Sequence, residues 1–132
     1  MELPLPEIID RLTILKLKIE RVGEPHLNQE YEKWNEALER FEQREIRIRQ
    51  EWFDKLYEIN REIWDLDWDL RKIVASGVAA EEAWGIAKEE IGSEEVGRRA
   101  KLIMQLVRVR AILKNKIVEE TGVGFREIKR DH

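Results

Sequence analysis

Apolar side chains recur along this chain at steps of three and four, and nowhere in the clean alternation that marks a strand. Ile8, Leu12, Leu15, Ile19 and Val22 make one stripe, widened by Ile9, Ile14 and Leu17, so a helix over residues 6–22 is expected to be covered on more than one side. Pro6 suits a first helical turn, Glu7 and Asp10 suit the positive end of the helix dipole, and Gly23 with Pro25 stops the run. The pattern resumes at Leu27, Tyr31, Trp34, Leu38 and Phe41, meets Glu45 where the next apolar residue belongs, and continues through Ile48, Trp52, Leu56, Ile59, Ile63, Leu66, Leu70 and Ile73. No Gly or Pro falls between Asn28 and Ser76. The stretch therefore reads as a central helix over 28–75, capped by Asn28 and about 70 Å long at 1.5 Å per residue. The two consecutive steps of four at Ile48–Trp52–Leu56 are a phase slip that accommodates a bend within 43–52.

A short helix over 79–91 follows, made marginal by Gly85, and then a long helix over 93–121 that opens on Ser93, Glu94 and Glu95 and closes at Gly122. Residues 122–132 read as a polar tail. Two apolar stripes run along the last helix, one through Leu102, Leu106, Val109, Leu113 and Ile117, the other through Val96, Ala100, Ile103, Val107, Ala111 and Val118. The expected fold is all-α: one domain over 1–132, a helical bundle with a long, straight or bent, coiled-coil-like central helix and antiparallel flanking helices. Flanking helices of about 25 and 40 Å each cover half of the central one and leave apolar flanks open. A second copy of the chain supplying the missing helices, a homodimer, is the favoured remedy; a sharp bend at 43–52 and a self-contained bundle is the other. The five tryptophans, Trp34, Trp52, Trp64, Trp68 and Trp84, suit an interface as well as a core.

Composition removes several classes of function. The chain has 132 residues, 39% of them charged, and no cysteine, so thiolate metal sites and cysteine nucleophiles are excluded. His26 and His132 have no histidine near them in sequence, and no phosphate-cradling glycine motif or nucleophile elbow is present. The apolar runs are too short for a membrane span, and a cytoplasmic location is expected. Asn and Gln number four each against abundant Glu, Arg and Ile, a thermophile-like balance. Residues 96–132 carry ten Lys/Arg and four Asp/Glu, whereas residues 1–95 carry 14 and 24. The basic face of the last helix, with Arg98, Lys101 and Arg108, lacks interleaved aromatics within an acidic protein, so nucleic acid is a disfavoured partner.

One constellation stands out. Phe53, Tyr57, Asn60, Trp64, Asp67 and Arg71 step four, three, four, three, four beside the apolar stripe, placing an amide, a carboxylate and a guanidinium at the edge of the core. Such groups serve either as an ion pair with interhelical hydrogen bonds or as the wall of a pocket for a polar ligand. The neighbouring acids Asp65, Asp67 and Asp69 need ligands from elsewhere, such as Glu58 or Glu62, to hold a divalent ion; a solvated acidic face is the commoner outcome, and no metal or cofactor is expected.

The run Glu7–Val22, with Ile8-Ile9-Asp10-Arg11-Leu12-Thr13-Ile14-Leu15, resembles the opening of an uncharacterised bacterial all-helical family with an I-D-K/R-x-T-I-L core. Asn60, Ile63, Trp64, Asp67 and Arg71 are similar to its N-x-x-[LI]-W-x-x-[ED]-x-x-x-R segment, and Gln105 with Arg108 looks like its polar-x-x-Arg element, without that family's Asn. The likeness spans about 40 residues; residues 76–92 and the tail depart from it. The family brings no activity with it, although some members are found with cell-surface polysaccharide genes. The resemblance implies a cluster of Asp10, Thr13, Asn60, Trp64, Asp67, Arg71, Gln105 and Arg108, read as a ligand site or as a network that sets helix register. The expected function is a self-associating helical scaffold or interaction module. The alternative is a binding protein or metal-assisted hydrolase for a small phosphorylated or nucleotide-sugar-like ligand, with Arg71 and Arg108 on the anion and Asp67 as acid/base or metal ligand.

Overall fold

A computed structural model describes residues 3–84 and 93–122. They form four helices, α1 (Leu5–Arg21), α2 (His26–Gln43), α3 (Gln50–Trp84) and α4 (Ser93–Thr121), and no strand occurs among the described residues. The protein is an all-α bundle. The expected start and stop of the last helix are observed, and Gly23 and Gly122 adopt φ of +73° and +70° just beyond α1 and α4, where a side chain would be strained.

The central rod expected over 28–75 is two helices, parted inside the window where the apolar phase slips. The cause is local. Glu45 takes a left-handed φ of 62°. The Ile46 N–H then donates to the Phe41 carbonyl at 3.2 Å, and the Glu45 N–H to the Glu42 carbonyl at 3.0 Å. These two bonds are a Schellman closure, and Ile46 packs back against the core that holds Phe41. Glycine usually occupies the position that Glu45 takes, which is why the sequence shows no stop there.

Two smaller boundaries also differ. α2 starts at His26, ahead of Asn28, with Pro25 preceding it; the Asn28 N–H reaches the Pro25 carbonyl at 3.3 Å, so Asn28 lies inside the first turn. Residues 79–84, expected in a separate short helix, continue α3, and residues 85–91 of that helix lie outside the described residues, as do 123–132 of the tail.

The chain groups into two compact units. The first comprises Met1–Asn60 and Arg110–His132, the second Arg61–Val109. In the first, α1, α2, the opening of α3 and the end of α4 enclose Leu5, Ile8, Ile9, Leu12, Ala37, Phe41, Trp52, Leu56 and Ile117, none more than 4% exposed. Burial of such side chains is worth roughly 1.5–3 kcal/mol each. α1 is the most enclosed element: Leu15 and Leu17 are buried too, and besides Arg11 only its last turn, from Lys18 towards Val22, opens to solvent.

The second unit is a pair of helices, α3 from Arg61 onward and α4 up to Val109. Arg99 links them: its Nη1 lies 3.1 Å from Asp69 Oδ2 and its Nε 2.7 Å from Glu95 Oε1. No described residue of this unit is buried.

Candidate functional site

α1 carries two polar residues on its buried side, Asp10 (6% exposed) and Thr13 (0%), and α3 carries Asn60 (5%). The Thr13 hydroxyl donates to the Asp10 carbonyl at 2.6 Å, the i to i−3 bond open to a helical threonine. Asn60 Nδ2 donates to Asp10 Oδ1 at 2.7 Å and to Thr13 Oγ1 at 2.8 Å. From α4, Arg110 Nη1 donates to Asn60 Oδ1 at 2.7 Å, and Lys114 Nζ lies 2.9 Å from Asp10 Oδ2 and 3.1 Å from Glu7 Oε1.

These bonds join three helices. Asn60 uses its amide N–H groups on α1 and its carbonyl on α4. Both carboxylate oxygens of Asp10 are engaged. Among the described residues no buried side-chain nitrogen or oxygen lacks a hydrogen-bond partner. Desolvating such groups unpaired costs roughly 1–3 kcal/mol each, so the completed network specifies one helix register with little penalty.

Of the eight residues expected to gather, Asp10, Thr13 and Asn60 do so. Trp64, Asp67, Arg71, Gln105 and Arg108 belong to the second unit. There Arg71 Nε pairs with Asp67 Oδ2 at 2.9 Å along α3, with the arginine side chain 77% exposed. Trp64 is half-buried and has partners of its own; Gln105 and Arg108 are exposed on α4.

The cations that complete the cluster, Arg110 and Lys114, were missing from the sequence expectation. A signal for the first was present. Ile103, Leu106, Arg110, Leu113 and Ile117 step three, four, three, four, so Arg110 stands at an apolar position of α4.

The first unit also has an open groove of about 590 Å³ between α1, α2, residues 44–49 and the start of α3. Ile9, Leu12, Leu38 and Phe53 give it an apolar lining, with Tyr31, Glu42 and Arg47 among its polar groups. Burial pushes the Tyr31 hydroxyl above its usual pKa of 10.0 by penalising the phenolate. No group of three or more His, Cys, Asp or Glu side chains placed to hold a metal ion occurs among the described residues, so Asp65, Asp67 and Asp69 are not joined by further ligands. No described helix is long and apolar enough to cross a membrane.

No protein-family model, curated protein or solved structure matches the chain.

Proposed function

We propose that this protein is a helical interaction module that acts by associating with a second copy of itself, through residues 61–109. One observation carries the reading: this stretch has no buried residue among those described, while the described residues of the first unit enclose a buried core. Ile63, Leu66, Leu70, Leu102, Ile103 and Leu106 are only half-covered, and Trp68 (56%), Met104 (68%), Val107 (40%) and Val109 (48%) are exposed. Two helices cannot bury both of their apolar flanks against each other, and four can. Large apolar surfaces left open on a soluble helical pair mark association sites.

The ligand-binding alternative draws less support. Arg71 is neutralised by Asp67 in an exposed pair, and the buried polar cluster around Asn60 uses its hydrogen-bonding groups internally.

Light scattering over a concentration series tests the reading. A mass of twice 15.8 kDa is expected at micromolar concentration. Leu66→Glu or Leu106→Glu should return the chain to 15.8 kDa while the Trp52 environment, deep in the first unit, stays native. A parent chain of 15.8 kDa at every concentration overturns it.

A further inference from the structure

We infer that the second copy packs with its two-fold axis parallel to the helices of residues 61–109, so that each α3 lies between its own α4 and the partner's α4; this rests on the self-association proposed above.

Within the second unit α3 is acidic where α4 is basic. Residues 62–70 hold four acids, Glu62, Asp65, Asp67 and Asp69, and no base. Residues 98–108 hold four bases, Arg98, Arg99, Lys101 and Arg108, and no acid. The short connection from Trp84 to Ser93 suits antiparallel neighbours, and the Arg99–Asp69 pair at 3.1 Å sets their register. The acidic and basic stretches therefore stand at the same height.

Two such pairs can form a four-helix bundle with every neighbour antiparallel in two ways. An axis perpendicular to the helices places α3 beside the partner's α3 and α4 beside the partner's α4. The acidic stretch of α3 then lies against acidic α3, and the basic stretch of α4 against basic α4. An axis parallel to the helices places α3 beside the partner's α4 at matched height, repeating between copies the sign pairing that Arg99 and Asp69 make within one. Like charges brought together across an interface are penalised and opposite charges steer the encounter, so the second arrangement is selected.

Charges on both helices remain available for this. Lys101 and Arg108 are exposed and make no ion pair among the described residues. Among the described residues, Asp67 pairs with Arg71 on its own helix, in a pair open to solvent. The same geometry brings the half-covered apolar flanks of the two helices together at the centre of the bundle.

The absence of cysteine makes a direct test simple. Glu94, Lys101 and Arg108 are exposed, lie one heptad apart on one face of α4, and span about 21 Å along its axis. Each is replaced singly by cysteine in the full chain and spin-labelled, the mass is checked by light scattering, and the label-to-label distance is measured by pulsed electron resonance.

With the axis parallel to the helices, partner residues stand at equal height, and the three distances should agree within about 5 Å. With the perpendicular axis, the separation grows away from the crossing point, and the distances should spread by about 10 Å or more. A dimer with spread distances overturns the parallel-axis packing and leaves self-association standing. A monomer for all three labelled chains and for the parent removes both.

Discussion

Lys114 Nζ on α4 lies 2.9 Å from Oδ2 of Asp10 on α1, and the aspartate side chain there is only 9% exposed. The pair joins residues more than a hundred positions apart in the chain, and it forms only when α4 has found its place against α1. Breaking it should be costly because the carboxylate cannot recover its water. Lys114→Met is expected to lower the unfolding free energy by about 3 kcal/mol, read by urea denaturation. Asp10→Asn in the same chain should recover part of that loss, as the unpaired charge is then gone.

Asn60 is the hub of the same network, with bonds to Asp10, Thr13 and Arg110. Asn60→Ala removes one bond from each of these three and should cost about 2–3 kcal/mol. Asp67→Ala, which removes an exposed pair of the same α3, should cost less than about 0.5 kcal/mol. Comparable losses for the two would contradict the difference in burial.

Glu45 takes a backbone conformation that glycine adopts freely, in the closure that ends α2. Glu45→Gly should therefore raise stability, by about 1 kcal/mol, with an upward shift in Tm. A fall in Tm would show that the glutamate side chain contributes more than its strain costs.

Tyr31 sets an alkaline limit. Its folded pKa is raised above 10.0 by burial, so its contribution to stability is complete below pH 10 and is lost as pH rises through the folded value. Absorbance of the phenolate band should show a tyrosine component titrating above pH 10.0. Tyr31→Phe should remove that late titration and flatten the alkaline loss of stability.

Much of the architecture was legible from spacing. Steps of three and four are enough to specify helices, because a buried stripe must follow the 3.6-residue turn, and Gly23 and Gly122 stop them because only glycine adopts positive φ at no steric cost. Asn60 was legible as a polar residue beside an apolar stripe, which requires partners, whereas Asp10 and Thr13 entered the candidate cluster through the family resemblance. Their other partners were not legible. Arg110 and Lys114 belong to a helix fifty positions beyond Asn60, and nothing local reports which turn of α4 comes to rest against α1. The end of α2 was hidden for a different reason. A left-handed Glu45 is a local cost that propensity argues against, offset by two closing hydrogen bonds and by the seating of Ile46 on the core.

By itself, then, the order of residues determined that this protein is helical, where the first and last helices begin and end, and that polar groups lie beside buried faces, since each follows from the geometry of one turn. The tertiary structure decided that the central rod is broken, which cations close the network, and that one stretch of chain encloses a buried core while another leaves apolar flanks open. Those outcomes depend on how much surface the remote helices cover, a sum over the whole chain that no single segment contains.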